Sequence, residues 1–158
     1  MADPRPRSER TEKLNSDALE SLVGYNARRA WSAINVVFSE QMAVYGLKEI
    51  DFAVLSLLAH NPGATSRQLC ATLSILPPNL VSLVGAMDSR GLITRQAHPH
   101  DGRAIGLHLT TSGQKLVREA EQTVNQLELQ ASASLTASER RMLIGLLKKI
   151  YAEPTPLK

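Results

Sequence analysis

Asp88-Ser-Arg-Gly-Leu-Ile-Thr-Arg-Gln-Ala-His-Pro-His-Asp-Gly-Arg-Ala-Ile-Gly-Leu-His-Leu-Thr-Thr-Ser-Gly113 reads as a helix end, a strand, a tight basic turn, a second strand and the start of another helix. Gly91 suits the left-handed conformation that ends a helix. Leu92, Ile93 and Ala97 lie on one short extended run. Ile105, Leu107 and Leu109 alternate with Gly106 and His108, the period-2 pattern of a half-buried strand. Asp101-Gly102 between the runs is a hairpin signal.

Working back from the hairpin, Thr65-Ser-Arg-Gln68 is a capping box, whose Thr and Gln side chains satisfy amides left open at a helix start. It opens a short helix expected to end near Ser74. Pro77-Pro78 suits the first turn of the next helix, where a missing N–H costs nothing. That helix runs to about Arg90 and buries Leu80, Val81, Val84 and Met87 in some combination. Upstream, Lys48–His60 carries Ile50, Ala53, Val54, Leu57 and Leu58 on one face, and Asn61-Pro62-Gly63 stops it. Further upstream a long helix is predicted from about Ser16 to Tyr45, closed by Gly46. Its apolar residues include Leu19, Leu22, Val23, Ala27, Ala30, Ile34, Val37 and Phe38.

Downstream, Thr110 starts a helix with Leu116, Ala120, Val124, Leu127 and Ala131 in one stripe. Thr136-Ala-Ser-Glu139 is a second capping box, opening a last helix with Leu143, Leu146, Leu147 and Ile150. The fold class is therefore mainly α with a small β-hairpin. A hairpin directly after a helix pair, with Arg103 near its tip, is the arrangement by which a winged helix reaches nucleic acid. The expected organisation is a disordered tail over 1–15, a winged helix-turn-helix lobe over 47–109, and helical regions over 16–46 and 110–152. The stripes on the last two helices exceed what a small winged lobe can bury, so they need a partner surface; a monomer folding its own ends together is the alternative.

Composition bounds the reading. The chain has 158 residues, enough for a real core, with 43% hydrophobic and 4% aromatic residues and a net charge of +3. Residues 61–110 hold two acids, Asp88 and Asp101, against four arginines at 67, 90, 95 and 103, a bias that suits a face meeting phosphates. A single cysteine, Cys70, excludes an internal disulfide and any cluster built on several thiolates. The polar N-terminus lacks the apolar core of a signal peptide and no run reaches membrane-span length, so a cytoplasmic location without a membrane partner is expected. Paired catalytic carboxylates, a nucleophile elbow and a phosphate-cradling glycine loop are all missing, which argues against an enzyme or a bound cofactor.

The sequence resembles the MarR family of bacterial transcriptional regulators over about residues 16–152. The residues carrying the resemblance are Asp51-Phe-Ala-Val-Leu55, Leu80-Val-Ser-Leu-Val84, Arg90-Gly-Leu92, Asp101-x-Arg103 and Leu107-x-Leu-Thr-x-x-Gly113. It implies a homodimer of winged lobes on double-stranded DNA, with the first, fifth and sixth predicted helices pairing across the two-fold axis. A dyad-symmetric reader implies a near-palindromic operator. The fourth predicted helix would enter the major groove and the wing the adjacent minor groove.

On that reading Pro78, Asn79, Ser82 and Leu83 face the bases, and Asn79 can pair with an adenine edge. Many relatives carry arginine where this chain has Ser82, which implies more dependence here on shape, water and thymine methyl groups. Ser66, Arg67 and Gln68 can meet backbone phosphates, though capping also explains Thr65 and Gln68. Arg95 and Arg103 are expected DNA contacts, Arg103 in the minor groove or at a phosphate; Asp101 and Gly102 shape the wing, and Arg95 or Arg103 is the arginine that Asp101 holds.

The resemblance also implies an effector, since most well-studied relatives release DNA when a small, often phenolic or carboxylate compound binds between the dimerisation helices and the winged lobe. Tyr25, Arg28, Arg29, Trp31, Asn35 and Phe38 form the candidate set, an arginine beside aromatics being suited to an aromatic carboxylate. The plainer alternative makes Trp31 and Phe38 core residues and the arginines surface charges. Cys70, flanked by Leu69, Ala71 and Leu73, reads as a packing residue, with redox sensing as the alternative. His98, His100 and Asp101 are the right ligand types for a metal, but a hairpin split by Pro99 makes a basic wing the better account. A winged helix used only as an interaction module also stays open.

Overall fold

The computed structural model describes residues 14–98 and 101–152, together with their side chains except those of 98 and 101–104. The chain divides into two units, one up to Ser32 and one from Ala33 onward.

In the first unit, α1 (Asp17–Glu20) opens with Asn15 Oδ1 accepting the Asp17 N–H at 3.0 Å. Ser21 and Leu22 separate it from α2 (Val23–Met42), which continues into the second unit. The single helix expected from Ser16 is therefore broken. The Asn26 side-chain amide donates to the carbonyls of Glu20 at 2.7 Å and Leu22 at 2.8 Å. An asparagine that competes with the backbone ladder in this way favours a break over a continuous helix.

In the second unit a 3-10 turn, Ala43–Tyr45, follows α2, and Gly46 closes it at φ +59° as its position predicts. Helix α3 (Glu49–His60) begins with the Lys48 N–H donating to Asp51 Oδ2 at 3.0 Å. Next come β1 (Ala64–Thr65), α4 (Ser66–Leu73), α5 (Pro77–Ser89), β2 (Ile93–His98), β3 (Asp101–Leu109), α6 (Thr111–Ala131) and α7 (Ala137–Ala152). The hairpin is present, but Asp101-Gly102 belong to the start of β3. The sheet has a third strand that the sequence reading lacked, in the antiparallel order β1-β3-β2. Its pairing depends on glycine: a Cβ on Gly106 would lie 2.9 Å from the Gly63 carbonyl oxygen, and the Gly63 N–H donates to the Leu107 carbonyl at 2.9 Å.

One core joins the second unit's part of α2 to α3, α4, α5, the sheet and α6. Met42, Val54, Leu55, Leu58, Leu69, Leu80, Met87, Leu107, Val117 and Leu127 are all essentially buried, and Phe38 packs edge-on against Phe52 with ring centroids 6.0 Å apart. Several apolar positions depart from the expected pattern. Leu19, Leu22, Val23, Ala27 and Ala30 of the predicted first helix are exposed, as are Val81, Ala97 and Ile105, and Val117 takes the centre of the α6 stripe, beside the half-buried Leu116 and Val124. On α7, Leu143, Leu146, Leu147 and Ile150 are all exposed within the chain.

A candidate nucleic-acid interface on α4 and α5

Helix α4 starts at a complete capping box. Gln68 Oε1 accepts the Thr65 N–H at 2.8 Å, and Thr65 Oγ1 accepts the Gln68 N–H at 3.3 Å. It ends at Ser74 in the left-handed conformation, φ 52°, a region a polar residue enters more readily than a branched one. The chain turns through 116° before α5, an angle typical of a helix-turn-helix pair. Leu69 on α4 and Leu80, Val84 and Met87 on α5 anchor the pair in the core, so their opposite faces point outward.

Those outward faces differ in chemistry. On α4, Ser66, Arg67 and Gln68 are exposed, and first-turn amides at Ser66 and Arg67 have no intrahelical acceptor by geometry. On α5, Pro78, Asn79, Val81 and Ser82 are exposed, and no Lys or Arg occurs between Pro77 and Ser89. Pro77 and Pro78 have no N–H, and the Asn79 and Leu80 amides both donate to the Leu76 carbonyl at 3.0 and 3.2 Å. The start of α5 thus offers few donors to a phosphate. Ser82 Oγ donates to the Pro78 carbonyl at 3.3 Å, which leaves its oxygen as an acceptor. Leu83 is half-buried and packs in part against the core.

Two arginines counted in the sequence bias turn out to be engaged within the chain. Arg90 donates through Nη1 to the Gly46 carbonyl and through Nη2 to the Tyr45 carbonyl, both at 2.9 Å. It ties the end of α5 to the turn before α3, a structural role that no local pattern announces. Arg95 Nε lies 3.4 Å from Asp88 Oδ2, both side chains being about half exposed. Asp88 sits at the C-terminal end of α5, where the helix dipole disfavours a carboxylate, and Arg95 offsets that charge. The side chains of Asp101 and Arg103, the turn at Pro99-His100 and the His98 side chain lie outside the described residues, Gly102 among them as to burial. Among the described residues no three His, Cys, Asp or Glu side chains cluster in a way that could hold a metal. Cys70 is half-buried on α4 and packs against the core.

Of the candidate effector residues, Tyr25 is half-buried and Arg28, Arg29 and Trp31 are exposed in the first unit. In the second unit Phe38 is a core residue, and Asn35 lines a cavity of about 670 Å³ with Ser39, Ala43, Leu47, Lys48 and Ile50. An unanticipated polar node joins α3 to α6: Glu121 Oε1 accepts from Ser56 Oγ at 2.7 Å and lies 3.0 Å from His60 Nε2. No single described helix is long and apolar enough to cross a membrane.

A family model for the MarR family matches residues 45–104. The chain is 30% identical over 155 residues to a transcriptional regulatory protein for the hcr operon of Thauera aromatica, covering 93% of each chain. It is 28% identical over 108 residues to the homoprotocatechuate degradative operon repressor of Escherichia coli, covering 68% of this chain and 73% of that one. The structure superposes on the transcriptional repressor CouR bound to a 23-mer DNA duplex with a TM-score of 0.81 at 32% identity, covering 87% of this chain and 98% of CouR. The helix-turn-helix pair, the wing strands and these matches agree: the chain belongs to the MarR family of transcriptional regulators.

Proposed function

We propose that this regulator is a homodimeric repressor that binds a near-palindromic operator and is released by a small aromatic or phenolic carboxylate. The observation that carries the DNA part is the outward face of α4 and α5, with Ser66, Arg67, Gln68, Asn79 and Ser82 exposed, on a fold that, in a relative of 32% identity, is bound to a DNA duplex. Arg67 and the first-turn amides of α4 contact phosphates, Asn79 and Ser82 face base edges, and Arg103 on the wing meets the minor groove or a phosphate, with Asp101 and Gly102 shaping that wing. Arg95 contributes to the backbone contact from its pairing with Asp88, and Ser66 and Gln68 flank Arg67. The exposed Leu143, Leu146, Leu147 and Ile150 of α7 support dimerisation, because a row of apolar side chains on one helix gains by being covered.

The effector half rests on Arg28 and Arg29, exposed and close in sequence to Tyr25 and Trp31, and on the aromatic catabolic operon named for the Escherichia coli relative. A guanidinium pairs with a carboxylate in two parallel hydrogen bonds while an aromatic ring stacks on it. A ligand that binds the DNA-incompetent state better weakens operator binding by that difference in affinity.

Fluorescence anisotropy tests the reading, using duplex from the intergenic region beside the gene, a random duplex and a salt series. Sequence-preferring binding that weakens with salt supports it. Equal, weak binding to both duplexes would instead favour an interaction module, the reading to which the lack of Lys and Arg on α5 lends support. A panel of aromatic acids, with Arg28→Ala and Arg29→Ala, then tests release: one of the two substitutions abolishes the response while leaving DNA affinity intact.

A further inference from the structure

We infer that Val81 reads the C5-methyl group of a thymine in the major groove, which makes it a specificity-determining residue of the DNA contact proposed above. Periodicity placed Val81 among the candidates for burial, yet it is 67% exposed. It lies one turn from Pro78 and one turn from Gly85, on the shoulder of the face that points away from Leu80, Val84 and Met87. A Cβ built on Gly85 would have nothing within 4 Å, so the surface beside Val81 is open on that side.

The chemistry of the helix leaves little else to do the reading. With no Lys or Arg between Pro77 and Ser89, the common bidentate contact to guanine is missing from α5. The prolines and the inward-bonded amides of Asn79 and Leu80 reduce phosphate anchoring at its start. Ser82 has its hydroxyl hydrogen on the Pro78 carbonyl. What α5 presents between Pro78 and Ser82 is one amide, one acceptor and an apolar ledge formed by Pro78 and Val81. Of the groups in the major groove, the thymine methyl is the one that an aliphatic side chain can distinguish.

The inference rests on the DNA-binding reading, and the test separates the two. A consensus duplex is recovered by iterative selection from a random library. Each thymine of one half-site is then replaced singly by deoxyuridine, which keeps every hydrogen bond and removes the methyl. At one position the replacement weakens wild-type binding about threefold to fivefold, the scale of one buried methyl. Val81→Ala binds the thymine duplex more weakly by a similar factor and no longer distinguishes thymine from uracil there. Val81→Thr keeps one γ-methyl and part of the preference, and carries the test should the alanine variant fold poorly. A consensus with no uracil-sensitive thymine, or a variant that keeps the full preference, overturns the inference while leaving DNA binding intact. Failure to enrich any consensus overturns the DNA-binding reading itself and this inference with it.

Discussion

Replacing Gly113 by alanine should destabilise the protein even though alanine is the better helix former. Gly113 is buried in the first turn of α6, and a Cβ there would sit 2.0 Å from the Leu92 carbonyl oxygen and 3.0 Å from its carbon. Ordinary contact begins near 3.4 Å, so α6 or the start of β2 must retreat by more than an ångström. Both partners are backbone, and no rotamer change relieves the overlap. The same Leu92 carbonyl accepts the Thr110 N–H at 3.0 Å, while Thr110 Oγ1 donates to the Gly91 carbonyl at 2.7 Å and accepts the Gly113 N–H at 3.1 Å. Overpacking of this kind costs about 1–3 kcal/mol. Each hydrogen bond lost as the junction opens costs about 1 kcal/mol more, and helix propensity returns about 1 kcal/mol. The net loss is about 2–4 kcal/mol, a fall in Tm of roughly 6–12 °C for a domain of this size. Thermal melts by circular dichroism, at matched protomer concentration because a dimer's Tm depends on it, give the measurement. Gly24→Ala, where a Cβ meets nothing within 4 Å, serves as the control and should be neutral or slightly stabilising. If Gly113→Ala melts at or above the wild type, the α6–β2 junction is looser than its contacts require, and the steric argument fails.

Arg90→Ala removes two charge-assisted bonds to the Tyr45 and Gly46 carbonyls and should cost about 1–2 kcal/mol in chemical denaturation, discounted for its exposure; Arg90→Lys, which cannot span both acceptors as a fork, should recover at most part of it. Glu139 accepts from the Thr136 N–H at 2.8 Å and from its hydroxyl at 2.7 Å, the backbone bond being the larger cause that holds its carboxyl below the usual value of about 4.5. A folded-state pKa below the unfolded one means the contribution is present above the unfolded pKa and is lost as pH falls through the folded one. The Glu139 titration followed by NMR should therefore have its midpoint below 4.5, and the stability gap between wild type and Glu139→Gln should close on acidification. Arg67→Ala should weaken binding to every duplex alike and lower the slope of log affinity against log salt by about 1 per protomer, whereas Asn79→Ala should cost about 1–3 kcal/mol and relax preference at one base pair.

What was legible in the sequence was local. The capping boxes at Thr65/Gln68 and Thr136/Glu139, the prolines opening α5 and the left-handed Gly46 and Gly91 each satisfy their own neighbours, so their letters suffice. The two-residue strand β1 was not legible, because two residues have no period and its partner lies in β3. The break before α2 was hidden by apolar residues whose spacing is nearly helical, and Asn26, whose side-chain amide donates to the Glu20 and Leu22 carbonyls there, favours it. Arginine roles were the least legible. Arg90 finds its acceptors 44 and 45 residues away, and Arg95 finds Asp88 across the turn between α5 and β2; neither pairing leaves a trace in composition.

The pairing of arginines within the chain bears on how the lobe would meet DNA. The excess of arginine over acid between residues 61 and 110 suggests a basic reading face, but Arg90 is engaged with backbone carbonyls and Arg95 with a carboxylate. Among the described residues of that segment, Arg67 is the arginine presented outward without a partner, and it stands on α4, beside amides that also suit a phosphate. Helix α5 carries the opposite chemistry: prolines without N–H groups, a serine bonded to its own helix and an exposed valine. Phosphate contacts that fix register and base contacts that carry sequence are different interactions, and on the contacts proposed above they fall on different helices. Among the described residues α4 and α5 present one outward arginine, Arg67, so on that proposal the margin of operator over random DNA comes from close apolar and hydrogen-bond fit along α5, together with the contact proposed for Arg103 on the wing. An arginine introduced at Ser82 would add affinity for phosphate and guanine together, and it would narrow that margin on the native operator.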